Sequence, residues 1–128
     1  AAGEAAVAGL DCRPAMSAAA PPLPSEATLL VLVSCPAAAA DALATALVEQ
    51  GLAACVSALP GMRSVYRWQE QVERAEETLL IAKTRAGRYA ELEAAVRRLH
   101  PYELPEIVAV NADGGFPAYL QWVHHSTA

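Results

Sequence analysis

The sequence predicts an α+β fold whose elements run β-α-β-β-α-β, with a short helix at the end. Three observations predict it. Leu29-Leu30-Val31-Leu32-Val33 is an unbroken apolar run of strand length, as expected for a strand in the middle of a sheet. Tyr89, Leu92, Val96 and Leu99 fall at i, i+3, i+7 and i+10, the stripe of an amphipathic helix. Between them lie two strand-like stretches joined by a short polar turn, and so short a connection imposes antiparallel pairing.

Each element has its own signal. After the first strand, Ser34-Cys35-Pro36 turns the chain, and Pro36 is placed to open a helix. Ala39, Leu43, Ala46, Leu47 and Gln50 keep helical spacing until Gly51 stops it. Residues 53–59 form the second strand, which Pro60-Gly61 breaks or bulges. Met62, Ser64, Tyr66 and Trp68 share one face of its continuation. Gln69-Glu70-Gln71 is the turn. Residues 72–77 lead into the third strand, 78–84. The second helix follows, then a fourth strand over 106–110. Asn111-Ala112-Asp113-Gly114-Gly115 is a turn run, after which Pro117 opens a short helix carrying Tyr119, Leu120 and Val123. Two right-handed β-α-β units packed as one antiparallel sheet make a ferredoxin-like sandwich.

The 128 residues suit one domain with one core. Residues 1–27, rich in Ala and Pro and without a period, read as a disordered tail; residues 28–126 are the folded domain. The tail has no charged n-region before an apolar run, so it does not read as a secretory signal. Its single basic residue, Arg13, argues against an organelle transit remnant, and Met16 is a candidate internal start. A net charge of -5 without a basic stripe excludes a nucleic-acid binder. Arg97-Arg98 is placed instead to cap a helix C-terminus. Cys12, Cys35 and Cys55 are an odd count with no CxxC, and HExxH is absent, so neither a disulfide framework nor a closed zinc site is expected. No apolar run reaches the roughly 20 residues that span a bilayer. A reducing, cytoplasmic setting fits this composition.

His100-Pro101-Tyr102-Glu103 concentrates the candidate chemistry. Proline ends the helix and fixes a corner from which His100 and Glu103 project. His100 offers nitrogen and Glu103 oxygen to a divalent cation; Cys35 and Cys55 would add sulfur that suits copper. The structural alternatives are a rigid corner with His100 bonded to backbone, and cysteines acting as small buried hydrophobes. Lys83 is a charge in an apolar strand, where it meets an anion, meets a carboxylate across a subunit boundary, or snorkels to water. Trp68, Glu70 and Tyr102 are candidates to line the same cleft as Lys83. Tyr66, Trp68, Tyr119 and Trp122 cluster outside the main core and mark an interface. His124-His125 reads as a solvated tail. No nucleophile elbow, P-loop or paired carboxylates stand at a recognisable spacing, so catalysis is not expected, and neither is an organic cofactor.

Six stretches in order, Val31 to Pro36, Gly51 to Pro60, Ser64 to Trp68, Leu80 to Thr84, His100 to Glu106 and Tyr119 to Val123, resemble the CutA family of divalent-cation tolerance proteins. The resemblance implies a ferredoxin-like subunit, a tight homotrimer and a likeness to PII signalling proteins. It maps His100 and Glu103 onto an HPYE-type motif and Lys83 onto a strand motif. The implied function is binding or tolerance of copper or another divalent cation. The alternatives are a PII-like small-molecule sensor and a trimeric scaffold that anchors a partner protein.

Overall fold

The computed structural model describes Pro24 and residues 26–128. The rest of the expected tail, including Cys12, Arg13 and Met16, lies outside the described residues.

The chain folds in the expected order: β1 (Thr28–Cys35), α1 (Ala37–Glu49), β2 (Cys55–Trp68), β3 (Gln71–Arg85), α2 (Tyr89–Leu99), β4 (Ile107–Ala112) and α3 (Pro117–Ser126). The four strands form one sheet in the order β2-β3-β1-β4, with each neighbouring pair antiparallel. β1 is central, as its apolar run requires. The βαββαβ sandwich with a short C-terminal helix is therefore present.

Local chemistry explains the joints. Gly51, at φ +70, lets α1 close in a Schellman motif: Leu52 N–H bonds the Leu47 carbonyl and Gly51 N–H bonds the Val48 carbonyl. Leu52 is buried, so the same turn docks the chain back on the core. Gly61, at φ +79, sits in a bulge between Leu59 and Met62, and β2 continues past it. Pro60 is tolerated because β2 is an edge strand. The β2–β3 hairpin turns on Gln69 and Glu70 alone, both left-handed at φ 52 and 67, as a two-residue turn matched to strand twist requires.

Strand boundaries differ from the sequence reading, and β2 begins at Cys55 rather than at 53. β3 is ordered from Gln71 and forms a long two-stranded arm with β2. β4 runs on to Ala112, because its register with Thr28 and Leu29 pairs two residues that read as turn.

The two faces of the sheet are unlike. Val31, Val33 and Cys35 of β1 and Leu80, Ala82 and Thr84 of β3 are buried on one side. On that side Leu43 and Leu47 of α1 and Leu92 and Val96 of α2 complete a single core. The alternate residues, Leu30, Leu32, Leu79 and Ile81, point the other way and are only half-buried. Val108 and Val110 of β4 join them in register and are exposed. Among the described residues no helix covers this stretch. α3 reaches only its end, where His124 bonds Thr28 Oγ1 and Arg85 Nε donates to the Thr127 carbonyl.

The folded body begins before β1. Glu26 is paired with Arg85 at 3.2 Å, and Gly87 N–H donates to its carboxylate. That backbone bond, first among the causes, holds the Glu26 carboxyl below its ordinary pKa.

Candidate functional site

At the hairpin end of the open sheet face lies a cleft of about 820 Å³. One wall is the arm, with Ser64, Tyr66 and Trp68 on the face that continues the open side of the sheet. The other wall is the corner from Pro101 to Glu106. Ser34 of β1 and Glu77 of β3 form the floor.

The corner is fixed by His100. α2 ends there because Pro101 forces the preceding residue out of helical backbone, and His100 sits at φ -74, ψ 138. Its ring is buried. Nε2 lies 2.7 Å from the Ser34 carbonyl and Nδ1 lies 3.1 Å from the Tyr102 amide nitrogen. A carbonyl accepts and an amide donates, so Nε2 is the donor and Nδ1 the acceptor. Both ring nitrogens are therefore engaged with backbone, and the corner is bolted to the central strand. Tyr102 adds a second tie: its ring leans on His100 at 4.8 Å and its hydroxyl donates to Glu77 at 2.9 Å. Partial burial and that bond to Glu77 push the Tyr102 hydroxyl up to about 12, so it stays a donor. A third tie runs from Ser34 Oγ to Glu106 at 2.8 Å.

The sequence-predicted residues divide between this cleft and the remainder of the chain. Trp68, Tyr102 and Glu103 line it, together with Tyr66. Cys35 lies just behind it, buried, with its thiol 3.8 Å from the Thr78 carbonyl. Burial, and secondarily the charge of Glu77, push that thiol up, so sulfur there is held protonated. Cys55 is elsewhere. It pairs with Lys83 in the β2–β3 register, whereas Cys35 pairs with Thr78. Five residues along β3 separate the two positions, roughly 17 Å. Lys83 and Glu70 do not line the cleft: Lys83 belongs to the Cys55 end of the sheet and Glu70 to the hairpin tip. Tyr119 and Trp122 stack on each other at 5.5 Å on α3. His124 is bound to Thr28 rather than solvated. Among the described residues, no three His, Cys, Asp or Glu side chains gather closely enough to hold a metal ion.

Sequence reasoning missed Ser34, Glu77 and Glu106. Glu77 carried a readable signal, a carboxylate immediately before an apolar strand. Its burial follows only from the register that sets β3 against β1 and β2.

Residues 29–126 match the family model described as CutA1 divalent ion tolerance protein. The chain belongs to that family. It is 43% identical over 99 residues to the divalent-cation tolerance protein CutA of Thermus thermophilus, covering 77% of this chain and 96% of that one. It is 41% identical over 96 residues to Protein CutA of Mus musculus, covering 74% of this chain and 54% of the mouse protein. The chain therefore spans nearly all of the bacterial relative and about half of the mouse one. Among solved structures, a Thermus thermophilus CutA1 superposes with a TM-score of 0.77 at 42% identity, covering 79% of this chain and 99% of that one. A PII-like CutA from Nostoc superposes with a TM-score of 0.74 at 30% identity, over 78% of this chain and 97% of that one. The CutA fold of this chain is thus a PII-like α+β sandwich. Among the described residues no helix is long and apolar enough to cross a membrane.

Proposed function

We propose that this chain serves divalent-cation tolerance as a cytoplasmic homotrimer, a binding protein rather than an enzyme, that takes its cation at the cleft between the hairpin and the His100 corner. The observation that carries this reading is the juxtaposition of that cleft with an unfinished sheet face. Glu103 stands at the cleft wall and presents its oxygens to the space, while Glu106 and Glu77, which also line the cleft, are tied to Ser34 and Tyr102. His100 supplies nitrogen only by exchanging the Tyr102 amide for the cation, and Cys35 supplies sulfur only after losing a proton that burial holds on. That order of access describes a site of moderate affinity, carboxylate first and imidazole second, for copper or another divalent cation.

The trimer reading has separate support. Leu30, Leu32, Leu79, Ile81, Val108 and Val110 form an apolar strip that no element among the described residues covers, beside the exposed Leu59. An uncovered apolar strip of that kind is the surface that association between copies would bury.

Calorimetric titration with Zn²⁺ and Cu²⁺ tests the cation site. Glu103 makes no bond that the fold depends on, so Glu103→Gln is expected to weaken cation binding while leaving the melting curve in place. His100→Ala is expected to weaken binding as well, and His124→Ala is expected not to. Equal affinities in parent and Glu103→Gln would remove the cleft from the site.

A second reading, small-molecule sensing, is favoured by size. At about 820 Å³ the cleft is within the range of organic-ligand pockets and offers Trp68 and Tyr66 for stacking.

A further inference from the structure

The other end of the open sheet face holds a charge that nothing in the described chain balances. Lys83 points out of β3 on the same side as Leu79 and Ile81. Across the strands its neighbours are Leu30 on β1 and, beyond it, Val110 on β4. Its ammonium is half-buried, donates to Ser57 Oγ and lies 3.7 Å from Cys55 Sγ. No carboxylate among the described residues pairs with it. Glu77 on the same face lies six residues away along β3, roughly 20 Å, and is tied to Tyr102.

The donors at this point outnumber the acceptors. Lys83 brings three N–H bonds, Cys55 a weak S–H and Ser57 an O–H that stays free to donate while its oxygen accepts from Lys83. Once water is withdrawn, an ammonium with surplus donors is stabilised by an oxyanion. The need sharpens if the apolar strip is closed by other copies, because closure removes the remaining water from Lys83.

We propose that Lys83 and Ser57, with Cys55 beside them, form an oxyanion site on the open sheet face, fitted to a phosphoryl group and completed when copies of the chain assemble. It is distinct from the cation cleft and rests on the trimer reading only for its enclosure. Bound anion would neutralise the ammonium at the interface, so occupancy and assembly would strengthen one another.

The full chain is titrated with sodium phosphate and with ATP, against sodium chloride at matched ionic strength, reading calorimetric heat and melting temperature. Expected is a saturable rise in melting temperature in the parent. Lys83→Met, which keeps the apolar stem, is expected to bind about tenfold or more weakly, since a bond to a charged group is lost. Lys83→Arg is expected to restore binding, and Ser57→Ala to weaken it in part. Binding by phosphate or by ATP supports the site, and the tighter of the two identifies the source of the phosphoryl group. No saturable effect in the parent, or equal effects in parent and Lys83→Met, overturns it, as would a crystal structure with a neighbouring copy's carboxylate on Lys83. Sedimentation of the same samples separates the two readings: a trimer indifferent to phosphate rejects the anion site alone, and a monomer that binds through Lys83 rejects the trimer alone.

Discussion

The two faces of the sheet share strands, and alternate residues of β1 have opposite surroundings. Val31 and Val33 are fully buried under α1 and α2, while Leu30 and Leu32 between them are only half-buried. The side chains are equally apolar. What differs is whether the chain itself supplies a cover. The covered face is finished by local connections, because each β-α-β crossover lays its helix on the same side. The open face receives α3 at one end and the His100 corner at the other, and nothing among the described residues covers the strip between. Both proposed sites lie at those two ends, where polar groups stand beside apolar surface.

Substitutions on opposite faces of one strand break this comparison most sharply. Leu80→Ala, on the covered face, is expected to cost about 2–5 kcal/mol by leaving a cavity in the core, read as a lower midpoint in denaturant. Ile81→Lys, next to it on the open face, is expected to keep the far-ultraviolet spectrum and lose oligomer mass. If Ile81→Lys unfolds the chain and Leu80→Ala is mild, the assignment of the faces is wrong.

The covered face also has a flaw. Thr84 Oγ1 is fully buried with no partner among the described residues. Thr84→Val is expected to stabilise by roughly 1 kcal/mol, because it removes an unsatisfied polar atom at nearly constant volume. A fall in melting temperature would show that the hydroxyl has a partner in solution.

Acid should act at the α3 end. Burial, the largest cause, lowers the His124 pKa below 6.5, although Glu26 opposes it. A histidine with a depressed folded pKa adds stability that is present above the unfolded value and is lost as pH falls through the folded one. The expected loss therefore begins near pH 6.5 and continues below it, and His124→Ala flattens it. Melting from pH 8 to pH 5 checks this; an unchanged slope in the variant counts against it. The smallest effect belongs to the hairpin tip. Glu70→Gly is expected to stabilise by roughly 0.5–1 kcal/mol by relieving a left-handed non-glycine residue, again by melting.

The covered half of the molecule was legible because its signals are local. Helical spacing in α2, Gly51 after α1 and the apolar run of β1 each state a conformation in a few residues. The arm was less legible: beyond Met62 both faces meet solvent, so the period-2 signal fades and only β propensity and the turn remain. Pro101 announced the corner, but not the bond from His100 to Ser34, which joins residues 66 apart in sequence. Nothing in the sequence separates Lys83 from Trp68 as linings of one cleft. Register separates them: Lys83 pairs with Cys55 and Trp68 with Gln71 at opposite ends of the hairpin. Nothing local encodes register across a bulge. Glu26 was read as tail, yet its carboxylate is held by Arg85 and Gly87, an anchor made of residues about 60 positions away.

The central claim is that the open sheet face is closed by other copies of the chain. Sedimentation equilibrium of the full chain at micromolar concentration, beside Ile81→Lys, tests it most directly. The account predicts three times the subunit mass for the parent and a smaller species for the variant. A folded monomer in the parent, or a variant that assembles as the parent does, would contradict it.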